Sequence, residues 1–197
     1  MAMTTAQQTD MYRFFAIAFG GAPGVTYMNQ LADALASGMT TKQVVNVFTT
    51  KAVFTSVYPN FYTNAQFAEN LVNNVVKDSA SAAAKLEARN DIVAALASGM
   101  SRGDVIYNVF NNLATTSDAK WADTSKMMAN QVKVAQYFTE VQLIDTTNAA
   151  TLQGAISGVT ATTDVSTPVA IAAVIGSAAS PTYSLSGPVA ADEGDAE

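Results

Sequence analysis

The stretch Tyr58-Pro59-Asn60-Phe61-Tyr62-Thr63-Asn64 concentrates the groups that hold sugars. An aromatic face covers the apolar side of a pyranose ring, while amides and hydroxyls hydrogen-bond its edge. Tyr58, Asn60, Tyr62 and Asn64 are therefore candidate glycan contacts. The same residues also admit a structural role, in which Tyr58 and Phe61 plug a core while Thr63 and Asn64 cap a helix. Lys120-Trp121 is a second candidate, an indole for stacking with a cation beside it. A lone Trp at helical spacing is more often core. Asp118 with Asp123, and Asp91 with Asp104, are the mid-chain acid pairs able to offer oxygen ligands to Ca²⁺. No glycine-containing loop of the EF-hand type accompanies them, and solvated helix starts account for them better, so Ca²⁺ stays an open candidate and no cofactor is assigned.

Other chemistry is excluded by composition. The 197 residues contain no His and no Cys. Thiol nucleophiles, disulfides, Ser-His-Asp triads, thiolate or imidazole zinc sites and histidine bases are all absent. Carboxylate, tyrosine or lysine chemistry remains, but no carboxylate pair stands out as acid and base. A non-enzymatic protein is the expectation, with a carboxylate-based glycan-active enzyme as the residual alternative.

Charge is unevenly placed. Residues 1–133 hold all 10 Lys and Arg and 9 of the 16 Asp and Glu, so they are close to neutral. From Val134 onward there are 7 acids and no base. Scattered bases give no electrostatic footprint for nucleic acid. No apolar run reaches the ~18 residues of a membrane-spanning helix. The opening MAMTTAQQTDMYR lacks the basic and apolar regions of a cleaved signal, so an exported protein would need another route.

The elements that must position these residues read as helices. ALASGM occurs at 34–39 and again at 95–100, within two stretches that align at an offset of 61 residues. Leu31 and Leu35, like Ile92 and Leu96, lie four apart on one helical face. Gly38 and Gly99 supply a left-handed stop, and Met39 and Met100 pack back on the last turn. Thr40-x-x-Gln43 and Ser101-x-x-Asp104 then open the next helix, the hydroxyl capping it and the residue three on reaching back. The unit is a corner between two helices, used twice.

Further helices are expected over 11–21, from Thr26 to Gly38, from Gln43 to Phe54, after Thr63, after Asp78 or Ser79, over 101–113, from Thr115–Asp118 onward as the longest, over 149–156, and from Ser166 through Ile175. The fold expectation is all-α: one compact domain of seven to nine helices at 1–176 with an internal helix-pair duplication. A short extended, β-like tail at 177–197 follows, as linker and start of a truncated β repeat.

The motif GAPG…Y, the joint LASGM[TS], the segment YPNFYTNAQFAENLVNNVV and the helix end QVKVAQYFTE resemble the helical N-terminal domain of Gram-negative surface-layer and RTX-type secreted proteins. PTYSLSG…ADEG resembles the first strand of a Calx-β or Ig-like extracellular repeat. The resemblance implies a structural protein of the outer cell surface, secreted by a type I route, that anchors a lattice to lipopolysaccharide. It also implies that the chain is the N-terminal piece of something longer. The partners implied are surface polysaccharide and further copies of the chain itself. The strand-like segment Thr182, Tyr183, Ser184, Leu185 and Ser186 is the candidate coupler for such self-assembly.

Overall fold

The first helix, α1 (Thr5–Phe19), begins at Thr5 and not at Met11, where the apolar pattern starts. Thr4 and Gln7 form a capping box: the Gln7 N–H donates to the Thr4 hydroxyl oxygen at 3.2 Å, and the Thr4 N–H donates to Gln7 Oε1 at 2.9 Å. Gly20 ends the helix in the left-handed region at φ +61°. Met11, Tyr12 and Phe14 through Phe19 are all buried, so α1 is covered on every side rather than along one stripe. It is the central helix of this computed structural model, which describes residues 3–175. Phe14, Phe15 and Phe19 meet Phe48, Tyr27 and Phe54 at ring-centroid separations of 5.6–6.1 Å. Each buried ring contributes roughly 2–3 kcal/mol of hydrophobic stabilisation.

Around α1 stand α2 (Val25–Ala36), α3 (Thr41–Phe48), the single turn α4 (Ala52–Thr55), α5 (Asn64–Val76), α6 (Ala82–Ala97), α7 (Arg102–Thr115), α8 (Ala122–Gln136), α9 (Ala149–Ser157) and α10 (Pro168–Ile175). Among the described residues no strand occurs, and the fold is all-α. α3, α5, α7 and α8 pack on α1, while α5 lies along α6 and α3 along α7. The strand expected at Thr182–Ser186 lies outside the described residues.

Both corners have one geometry. Gly38 and Gly99 sit at φ +96° and +94°. The N–H of Met39 donates to Ala34 O and that of Met100 to Ala95 O, while Gly38 and Gly99 donate to Leu35 and Leu96. This is the paired bonding of a Schellman motif. Thr40 then caps α3 within a complete capping box, and Ser101 caps α7. The reach-back expected of Asp104 does not occur. One methylene shorter than Gln43, its carboxylate turns to α3, accepting from Asn46 Nδ2 at 2.7 Å and pairing with Lys42 Nζ at 3.3 Å.

Other boundaries also differ from expectation. The helix expected over Gln43–Phe54 is broken, because the Thr49 and Thr50 hydroxyls donate to Asn46 O and Val47 O and draw the backbone out of the helix. α2 begins one residue before Thr26: Gly24 is its N-cap, and Asp145, far along the chain, accepts from the Thr26 N–H at 3.0 Å. α6 is capped by Ser81 rather than Asp78 or Ser79. Asp118 caps a 3-10 turn, Ala119–Trp121, that precedes α8. α8 then runs into one π turn, Tyr137–Val141. There the buried Thr139 hydroxyl donates to Pro23 O, and Tyr12 donates to Glu140 at 2.6 Å.

Candidate functional site

The loop between α4 and α5 is the first candidate. Tyr58 is fully buried, its ring 5.1 Å from Phe54 and 5.2 Å from Phe67, and its phenol oxygen accepts from Asn74 Nδ2 at 3.0 Å. It plugs the core and turns no face to solvent. Burial pushes its hydroxyl up to about 12, partly offset by the Asn74 bond. The folded state therefore favours the neutral phenol. That stabilisation is complete below pH ~10, the unfolded value, and is lost as pH rises to about 12. A denaturation series across this window is expected to show falling stability in the wild type, with the fall reduced in Tyr58→Phe.

Phe61, expected to join Tyr58 in the core, is 83% exposed, with Tyr62 edge-on to it at 5.5 Å. Asn60 and Asn64 are also exposed, and Tyr62 is half-buried. Thr63 caps α5 through a box with Gln66. The loop is held by a residue that the sequence pattern does not mark. Arg102, in the first turn of α7, donates to Tyr58 O at 3.3 Å, Pro59 O at 3.0 Å and Tyr62 O at 2.7 Å. Its guanidinium lies 4.8 Å from the Phe67 ring centroid. Burial draws its pKa down, yet a guanidinium stays charged at ordinary pH. The outcome is a fixed loop that presents the Phe61–Tyr62 pair flanked by two amides.

Trp121 belongs to a different place. With Met100, it lines a groove of about 290 Å³ between α5, α6 and α7. The floor is aliphatic, from Val72, Ile92, Val109 and Leu113 among others. On α6 the groove-facing positions include Ala88 and Ala95, whose small side chains leave the space open. Asn108 and Asn112 on α7 form one rim, and Glu87 and Asp91 on α6 form the other. Lys120 Nζ is engaged by Glu87 at 2.7 Å and Asp118 at 3.3 Å, and Glu87 raises its pKa most. Arg102 and Thr116 mark the two ends of α7, roughly 20 Å apart at 1.5 Å per residue. The six candidate glycan residues thus divide between two patches and do not form one site.

Among the described residues no three carboxylates gather to hold a metal ion. Asp118 is occupied by the Lys120 amide and amine, and Asp104 by Asn46 and Lys42. No described helix is long and apolar enough to cross a membrane. Comparison with protein-family models, curated proteins and solved structures finds no match for the chain.

Proposed function

We propose that this chain is a non-enzymatic module of the outer surface of a Gram-negative cell, secreted by a type I route, that attaches a larger lattice or filament protein to lipopolysaccharide or other surface polysaccharide. The observation that carries the reading is the Arg102-held loop, with Phe61 in solvent beside Tyr62 and the amides of Asn60 and Asn64 on either side. Such a surface gives a sugar ring a stacking face and hydrogen-bond partners without reordering the loop. The resemblance of GAPG…Y, LASGM[TS] and QVKVAQYFTE to surface-layer anchoring domains supports the same conclusion. The two matching corners fit a duplicated helix pair at the offset of 61 residues.

Purified lipopolysaccharide is expected to bind the chain in a pull-down or titration. Phe61→Ala is expected to weaken binding about tenfold, the equivalent of ~1.4 kcal/mol, while leaving stability within ~0.5 kcal/mol because the ring is exposed. An absence of binding both with and without Ca²⁺ overturns the proposal.

A self-assembling subunit is the second reading, and α10 favours it. Its sequence PVAIAAVI is apolar all round, yet only Ile175 is buried and Val169 is 80% exposed. Helices of this composition are ordinarily covered. At high protein concentration, Val169→Glu is expected to remove polymers seen by cryo-imaging with helical circular dichroism unchanged. Deletion of residues 180–197 tests the Thr182–Ser186 coupler in the same assay.

A further inference from the structure

We infer that the groove between α5, α6 and α7 binds a small organic cation with an apolar body, such as an alkylammonium compound. Its volume of about 290 Å³ lies at the small end of the roughly 300–1,000 Å³ range of small-molecule pockets. An aliphatic floor with a few polar groups at its rim is the usual make-up of a small-molecule site. The charge of the rim decides which molecule. No Lys or Arg lines the groove, while Glu87 and Asp91 do. Lys120 beside it is shared between Glu87 and Asp118, two carboxylates for one amine. Asp91 makes no ion pair with any described residue.

An anionic ligand would therefore meet the Asp91 carboxylate, while the neighbouring cation, Lys120, is already held by Glu87 and Asp118. A neutral apolar ligand would fill the floor and gain nothing from Asp91. An ammonium group gains from two lining groups, the Asp91 carboxylate and the Trp121 indole, since cations are attracted to an aromatic ring by its quadrupole. Asn108 and Asn112 on the opposite rim offer amide oxygens to the remaining N–H groups.

Trp121 is the sole Trp of the chain, so intrinsic fluorescence reads this groove directly. The test titrates the full chain with n-octylammonium, 1-octanol and octanoate, each below its aggregation concentration. Octylammonium is expected to change the emission saturably and to bind at least tenfold tighter than either of the other two. Asp91→Asn, at an exposed position, is expected to remove that preference. Ala88→Leu, which fills the groove, is expected to abolish the response to all three probes while circular dichroism stays unchanged. Equal affinity for the three probes marks the groove as an apolar surface for some other partner and overturns the inference. So does an ammonium affinity that Asp91→Asn leaves unaltered, or no saturable response.

Discussion

Arg102→Ala is expected to lower the unfolding free energy by about 3 kcal/mol, and the melting temperature by roughly 6–12 °C for a chain of this size. The guanidinium donates to three carbonyls of one loop, those of Tyr58, Pro59 and Tyr62, and stacks near Phe67. A hydrogen bond from a charged donor contributes ~1.5–3 kcal/mol, and a cation over an aromatic ring ~0.5–2. The contributions do not add fully, since truncation lets water reach some of the freed carbonyls. Arg102→Lys keeps the charge but offers a point in place of a planar fork, and is expected to recover less than half of the loss. Urea titrations of the three proteins decide the matter. A loss under ~0.5 kcal/mol for alanine, or full recovery with lysine, removes Arg102 as the fastener of the loop. Under the proposed function, Arg102→Ala is also expected to weaken lipopolysaccharide binding through loop disorder, with loss of stability. Phe61→Ala is expected to weaken that binding with stability kept, so the two variants would separate a positioning role from a contact role.

Arg102 also marks the limit of what was legible in the sequence. Capping boxes at Thr40 and Thr63 and the stops at Gly38 and Gly99 are readable because their partners lie within five residues. The start of α2 is not, because its N–H groups are met from 119 residues away by Asp145, and Gly24 lies against Thr146 O. The buried bond from Thr139 to Pro23 O spans 116 residues. Gln153 Nε2 meets Phe19 O across 134. In each case a carbonyl or amide at a helix end is satisfied by a residue whose type alone does not announce the role. Of the candidate site, the loop at 58–64 was legible as a concentration of aromatics and amides, but the division of labour inside it was not. Tyr58 is in the core and Phe61 in solvent, and nothing in the order of residues distinguishes the two rings. The groove is not legible in the sequence for a different reason: Ala88 and Ala95 read as helix formers, and their smallness matters only once α5 and α7 stand opposite.

Gly103 carries the other large effect, and its sign opposes helix propensity. Glycine inside a helix is disfavoured against alanine by ~1 kcal/mol, so an alanine in the first turn of α7 should stabilise if α7 stood alone. In the fold, a Cβ at Gly103 would lie 2.5 Å from Asn46 Oδ1 and 2.8 Å from Asn46 Cα. The side-chain oxygen is not free to retreat, because Ser101 Oγ donates to it at 2.6 Å. The Cα belongs to the backbone of α3. Overpacking of this kind costs about 3 kcal/mol, leaving a net loss of ~2 for Gly103→Ala and more for Gly103→Leu. The position matching Gly103 at the offset of 61 is Lys42, whose side chain is 51% exposed. The two corners share their stops but not this close approach. In an Asn46→Ala background the penalty of Gly103→Ala should shrink without vanishing, because the clash with Cα survives. Chemical denaturation of the four proteins gives the cycle, and a stabilising Gly103→Ala would show that propensity, not contact with α3, governs the site. Gly103 follows Arg102 directly, so pushing the first turn of α7 off α3 also pulls the guanidinium from its three carbonyls. Gly103→Ala and Arg102→Ala should accordingly cost less together than the sum of each alone.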